Sequence, residues 1–93
     1  MIPDSIKTFM DIEGRLIQWP SKRSQQLVAL EYLASKIAPS KQYTEREINE
    51  LLKLWHTFGD PALLRRELFE LGYVNREKNG SAYWRTHRLC ESV

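Results

Sequence analysis

The sequence predicts a mostly helical α+β domain, and three features of the chain carry that prediction. Apolar residues recur at spacings of three and four in three segments, which is the pattern of helices with one buried face. Helix-capping signals stand at the starts of the second and third segments. An Asn-Gly pair between two β-prone runs, late in the chain, predicts a β-hairpin.

The first twenty residues are predicted to form an arm that leads into the domain. A short helix is expected to start at Pro3 and to end at Gly14. Residues 15–20 are predicted to be extended, because a residue before proline is pushed out of the helical region. The chain is divided accordingly into an N-terminal arm (1–20), a central domain (21–88) and a C-terminal tail (89–93).

The first two long helices follow the arm. Residues 22–37 are predicted to form the first, with Ser21 as its N-cap. Tyr43 is expected in a short strand or bridge. Thr44 and Glu47 can form a capping box, in which each side chain accepts the other residue's backbone amide, for a second helix that runs to about residue 56.

The third helix has the clearest predicted boundaries. Asp60 stands at its cap and Pro61 at its first position, where a missing amide proton costs nothing. Gly72 follows its end, where a left-handed residue is favoured, so the helix spans 61–71. The predicted buried faces of the three helices consist of Leu27, Leu30, Leu33, Ala34 and Ile37, of Ile48, Leu51, Leu52 and Trp55, and of Leu64, Leu68 and Leu71.

The chain ends in a predicted hairpin, with arms at 73–76 and 82–85 and Asn79-Gly80 in a turn of a primed type. The resulting order is helix, short strand, helix, helix, hairpin. This is the order of a winged helix-turn-helix, a three-helix core plus a β-hairpin wing, here with an N-terminal helical arm. In helix-turn-helix geometry the second helix of the pair enters the major groove. That helix is 61–71 in this chain.

Several short motifs between about Phe9 and Arg85 together carry a family resemblance. They are Gly14-Arg15-Leu16, Trp19-Pro20-Ser21-Lys22-Arg23, Tyr43-Thr44-Glu45 with Glu47-Ile48-Asn49, Leu64-Arg65-Arg66-Glu67-Leu68, and Gly80 with Tyr83-Trp84. On these residues the chain resembles the bacterial family catalogued as domain of unknown function 2087. Members look like winged-helix domains, alone or attached to helix-turn-helix regulators. The resemblance implies a role in transcriptional regulation and supplies no catalytic residues.

Composition and charge narrow the classes of function. The 93 residues are 42% hydrophobic and 28% charged, which is typical of one ordinary globular domain. Residues 1–14 carry one lysine and three carboxylates, a net of −2, so the remainder of a chain with net charge +2 carries +4. One cysteine excludes an intrachain disulfide, and no apolar run approaches the ~18 residues of a membrane span. A cytoplasmic protein without membrane contact is expected.

Seven basic residues are candidates for contact with DNA, because planar or flexible cations suit phosphate oxygens. They are Lys22, Arg23, Arg65, Arg66, Arg76, Lys78 and Arg85. Structural alternatives stay open for them. Arg66 can pair with Glu70 one turn later, Arg65 lies beside the leucine stripe, and charges on a hairpin can protect a sheet edge.

The start of the first long helix has two readings. Trp19 is expected to pack the arm onto that helix and to be mostly buried. The free amide groups of the helix N-terminus, with Lys22 and Arg23 beside them, would also suit an anion.

The sequence predicts no enzyme, no cofactor and no metal site. It has no glycine-rich phosphate loop and no nucleophile motif, and His56, His87 and Cys90 match no paired zinc pattern. The rival to DNA binding is a protein-interaction module that forms a homodimer or docks on a regulator. The outward face of the helix 61–71 favours that rival, because Leu63, Glu67 and Glu70 accompany Arg66 there.

Overall fold

The computed structural model describes residues 4–86, and its elements follow the predicted order. A 3-10 helix, Asp4–Phe9, is followed by α1 (Arg23–Ala34), β1 (Gln42–Tyr43), α2 (Glu45–Leu54), α3 (Pro61–Glu70), β2 (Val74–Arg76) and β3 (Tyr83–Arg85). The strands form one antiparallel sheet in the order β1-β3-β2. Residues 4–86 therefore contain four helices and a three-stranded sheet, an α+β fold. The predicted helix start at Pro3 and the tail 89–93 lie outside the described residues.

The capping signals of α2 and α3 are confirmed. The Thr44 hydroxyl accepts the Glu47 amide at 3.0 Å, and the Glu47 carboxylate accepts the Thr44 amide at 2.9 Å. Asp60 accepts the Leu63 amide at 3.1 Å, and Pro61 occupies the first helical position. These contacts satisfy amide groups that have no partner within a helix.

Helix α1 differs from its prediction at both ends. Lys22, and not Ser21, is its N-cap, because the Lys22 carbonyl already accepts the Gln26 amide at 3.0 Å. The helix ends at Ala34, where the chain tightens into turns and the Ile37 amide donates to the Ala34 carbonyl at 3.1 Å. Tightening of this kind is common in a last helical turn.

The core lies between the three helices and the sheet. Its fully buried side chains include Leu30, Leu33, Ile37, Ile48, Leu52, Leu64, Leu68 and Val74. The prediction for Leu27 was wrong: it is 37% exposed. The buried face of α1 is centred near Leu33, about a third of a turn around the helix from Leu27. Leu51, Trp55 and Leu71 pack against the core but are only partly buried.

The N-terminal arm adds a buried strand-like contact. Leu16 is fully buried; its amide donates to the Trp55 carbonyl at 2.8 Å, and its carbonyl accepts the Thr57 amide at 3.0 Å. The arm is therefore bonded to the chain between α2 and α3. Trp19 packs against the core with most of its surface covered, as predicted. Pro20 beside it and Leu16 are fully buried.

A tight loop precedes Leu16 and is organised by Asp11. The Asp11 carboxylate accepts the Arg15 amide and the Arg15 guanidinium, each at 2.8 Å, and the Glu13 amide at 3.0 Å. These contacts, the Arg15 amide above all, hold the pKa of the Asp11 carboxyl below its usual value. Gly14 closes the loop with φ +81°, and its carbonyl accepts the Tyr32 hydroxyl at 2.8 Å.

His56 occupies the centre of the connection between α2 and α3. It is 4% exposed, with Nδ1 2.6 Å from the Leu52 carbonyl, while Nε2 accepts the Asp60 amide at 3.0 Å. Because Nε2 is an acceptor, Nδ1 carries the proton and donates to the carbonyl. One imidazole thus joins the last turn of α2 to the N-cap of α3.

The hairpin is present, but its turn differs from the prediction. Gly80 has φ +75°, as predicted, whereas every positive φ among residues 4–86 belongs to glycine, so Asn79 does not adopt a primed turn. The Glu77 carbonyl accepts the Gly80 amide at 2.9 Å, and the Glu77 amide donates to the Ala82 carbonyl at 2.9 Å. The result is a longer loop in which one glycine supplies the left-handed residue.

We predict that Gly80→Val disrupts the hairpin loop and leaves the helices folded. A β-branched residue at φ +75° is strained by about 1–2 kcal/mol, and its side chain would contact the Glu45 carboxylate near 3.5 Å. Far-UV circular dichroism at 25 °C should retain the helical signal while the melting temperature falls. Ser81→Val, in the same loop at negative φ, is the control and should melt near the wild type. Loss of the helical signal in Gly80→Val would contradict the prediction.

We also predict that Asp11 contributes to the loss of stability at low pH. The lowered pKa of Asp11 means that the folded state favours its carboxylate, so this contribution to stability is present above the unfolded-state pKa and is lost as pH falls. Asp11→Asn should lower the melting temperature at pH 7 and weaken its decline between about pH 5 and pH 2. Ile12→Ala, at the fully exposed tip of the same loop, should leave the pH profile unchanged. An Asp11→Asn profile parallel to the wild type would refute this.

Candidate functional site

A groove of about 270 Å³ opens between the start of α2, the outer side of α3 and the hairpin. Its walls are Glu45, Arg65, Arg66, Phe69, Arg76 and Tyr83, and we refer to it as the arginine groove. The fold thereby brings three of the seven candidate residues to one place. Three guanidinium groups and one carboxylate give the groove a formal charge of +2 (3 − 1).

Arg65 is held by α2. Its guanidinium Nη1 donates to Oδ1 of Asn49, and the side chain is partly buried between the two helices. A guanidinium has five N–H donors, so this contact leaves others directed toward the groove. Arg65 therefore braces α3 against α2 and still contributes charge to the groove.

Arg66 points away from the core. It is exposed, and within residues 4–86 no ion pair or hydrogen bond engages its guanidinium, so the alternative pairing with Glu70 is not formed. The side chain lies opposite the buried Leu64 and Leu68 stripe of α3. Its donors are available to a ligand.

Arg76 reaches the groove from strand β2. Its guanidinium carbon lies 4.8 Å from the centroid of the Phe69 ring, within the range of a cation–π contact, and Nη1 is 3.4 Å from the Lys78 carbonyl oxygen. Phe69 remains 36% exposed. The aromatic ring thus connects the hairpin to α3 and orients one of the three arginines.

The remaining candidate residues lie elsewhere. Arg23, at the start of α1, pairs with Glu67 of α3 at 3.0 Å and also donates to Gln26 at 2.9 Å. Arg85 donates to the carbonyl of Ile37, in the turn that follows α1, at 3.0 Å. Both arginines therefore bind other parts of the protein itself. Lys22 and Lys78 are exposed, outside the groove.

The contact between Arg23 and Glu67 reduces the negative charge on the outer face of α3. The Glu67 side chain is only 18% exposed and is paired with Arg23, so its negative charge is offset where it stands. The outer face of α3 is therefore less negative in the folded protein than its sequence alone indicates. Glu70 stays exposed, as does Glu45 at the edge of the groove.

Sequence reasoning missed three residues that line the groove, Phe69, Glu45 and Tyr83, and also Asn49, which holds Arg65. Their contacts join segments that are distant along the chain. Phe69 carried one usable signal: it is an aromatic residue on α3 outside the Leu64, Leu68 stripe. An apolar residue off the buried face needs a partner elsewhere, and here the partner is Arg76.

Two negative observations apply to the described part of the chain. Between residues 4 and 86 no three His, Cys, Asp or Glu side chains gather as they would around a metal ion. None of the helices in the same range is long and apolar enough to span a membrane. His87 and Cys90 lie outside the described residues.

Replacing each of the two arginines of α3 by alanine should lower the stability of the protein by different amounts. Loss of the Asn49 contact makes Arg65→Ala destabilising by about 1–2 kcal/mol, whereas exposed Arg66→Ala should stay within about 0.5 kcal/mol of the wild type. Urea unfolding of both variants, with Asn49→Ala as a second way to break the contact, measures the difference. Equal losses in Arg65→Ala and Arg66→Ala would show that the Asn49 contact does not brace the helices.

Comparison with known proteins gives one match. Searches of curated proteins and of solved structures return no match to this chain. A family model, described as "Uncharacterized protein conserved in bacteria (DUF2087)", matches residues 15–85. This range runs from the end of the Asp11 loop through the last strand and includes every residue of the arginine groove. The chain belongs to the DUF2087 family.

Proposed function

We propose that the protein is a small winged-helix DNA-binding protein that acts in transcriptional regulation. In this proposal α2 and α3 are the helix-turn-helix pair, α3 is the recognition helix, and β2 and β3 form the wing. The observation that carries it is the convergence of Arg65 and Arg66 from α3 with Arg76 from the hairpin. In helix-turn-helix proteins these are the elements that approach DNA.

The chemistry of the groove suits a phosphate backbone. Arginine presents a planar set of N–H donors that fits two phosphate oxygens at once. Arg65 and Arg76 are held in place by Asn49 and Phe69, so little side-chain freedom is lost when they meet a ligand. Arg66 is free to reach either a phosphate or the acceptor edge of a guanine.

The buried histidine takes no part in the proposed site. His56 is the one histidine among residues 4–86, and both of its ring nitrogens are occupied by backbone groups. It is buried in the α2–α3 connection and does not line the groove. A DNA-binding role also implies a cytoplasmic location, which agrees with the single cysteine.

A protein-interaction role is the second candidate. Leu54 on α2 is 70% exposed and Ile12 at the tip of the Asp11 loop is fully exposed. Exposed apolar side chains of this size favour a protein partner over a nucleic acid. They lie outside the arginine groove, so such a partner would occupy a different surface.

The test is the salt dependence of binding. Fluorescence anisotropy with a random-sequence duplex, at about 50 and about 200 mM salt, should give a slope of log affinity against log salt near −2.7 for three phosphate contacts. Arg66→Ala or Arg76→Ala should each reduce its magnitude by about 0.9. Lys7→Ala, which removes an exposed charge from the N-terminal 3-10 helix, should leave it unchanged.

Two outcomes would overturn the DNA proposal. One is the absence of binding at low salt by a protein that circular dichroism shows to be folded. The other is an equal loss of slope in Arg66→Ala and Lys7→Ala, which would mean that only overall charge matters.

A further inference from the structure

A second groove, of about 570 Å³, runs along the outer face of α2. Buried Tyr43 and partly buried Leu51 form its apolar part, and Leu54 projects from its far end. Its charged residues are Lys41, Arg46, Glu47 and Glu50. We call it the α2 groove. None of the residues that line it lines the arginine groove.

The two grooves lie on different faces of α2. Glu45 and Asn49, one turn apart, face α3 and the arginine groove. Arg46, Glu50 and Leu54 follow one another at intervals of four and form a separate ridge on the exposed side. A partner on this ridge would therefore leave the arginine groove open.

We infer that the α2 groove is a homodimer interface whose occupant is the same ridge of a second copy of this chain. The argument is the order of charge along the ridge. Arg46 and Glu50 are about 6 Å apart along the helix axis. Two antiparallel copies related by a two-fold axis level with residue 48 place each Arg46 opposite Glu50 of the second copy. The surface is complementary in charge to itself, which a two-fold interface requires.

The apolar part of the groove fits the same arrangement. With the axis level with residue 48, Leu54 extends beyond the start of the second copy's α2, where the groove opens beside Tyr43 and Thr44. Leu54 is 70% exposed in the single chain and would be covered on both sides of the interface at once. Burial of Leu54 from each of the two copies provides the driving force of the association.

The charges of the ridge are available for this pairing. Glu50 contacts Lys53 at 3.5 Å, but both side chains are more than half exposed, and such pairs are weak. Glu47 also lines the groove, but its carboxylate is held in the capping box of α2, where it accepts the Thr44 amide at 2.9 Å. Within residues 4–86 the Arg46 guanidinium has no ion-pair partner.

Charge reversal tests the arrangement, and it does so without reference to DNA. Sedimentation analysis of the full chain at about 100 µM should show a species of twice the 11.0 kDa of one chain. Arg46→Glu and Glu50→Arg should each raise the dimer dissociation constant about tenfold or more, because like charges then face each other. An equimolar mixture of the two variants should recover the dimer, since each supplies the charge that the other lacks.

A control variant distinguishes an effect at the ridge from a general effect of reversed charge. Glu31→Arg, an equal charge reversal at an exposed position of α1, should dimerise as the wild type does. If either ridge variant fails to fold by circular dichroism, Leu54→Ser replaces it, and the dissociation constant should again rise. A wild-type monomer at about 100 µM, ridge variants that dimerise normally, or a mixture that stays monomeric would each overturn the inference.

Discussion

A buried imidazole joins the end of α2 to the beginning of α3. His56 donates to the Leu52 carbonyl and accepts the Asp60 amide, so the same ring satisfies a free carbonyl of one helix and an amide at the cap of the next. The Leu16 backbone bonds to Trp55 and Thr57 on either side of it. The angle between α2 and α3 depends on this connection, and the arginine groove depends on that angle.

The five arginines predicted to contact DNA differ in their environment. Arg23 and Arg85 make contacts with Glu67 and with the Ile37 carbonyl that close the fold. Arg65 contacts Asn49, Arg76 contacts Phe69 and the Lys78 carbonyl, and both arginines also line the groove. Arg66 has only the groove. The net charge of +2 thus understates the local field at the groove, because three arginines converge there while Glu67 is paired with Arg23.

Local sequence signals predicted the features that depend on few neighbouring residues. The Thr44 and Glu47 box, the Asp60 cap and the left-handed Gly72 and Gly80 are all decided within four residues, and each was confirmed. Predictions were wrong where the local sequence is compatible with more than one conformation. Ser21 and Lys22 are both possible helix starts, and the turn after Glu77 admits several loop types.

Long-range contacts could not be read from the chain. The Leu16 contacts with the α2–α3 connection join residues about forty positions apart, and the burial of Leu16 follows from them. Contact between Arg76 and Phe69 likewise requires the hairpin to fold back over α3. The sequence identified Arg65, Arg66 and Arg76 as candidates by residue type. Their separation from Arg85 and Arg23 is a property of the folded chain.

We propose that Arg65, Arg66 and Arg76 form a single anion-binding site. Nuclear magnetic resonance of the arginine Nε–Hε groups, during titration with a short duplex DNA at low salt, measures whether they act together. These three signals should shift together with one apparent dissociation constant, while those of Arg15 and Arg85 stay in place. Shifts confined to Arg15 or Arg85, or three groove signals that titrate independently, would contradict it.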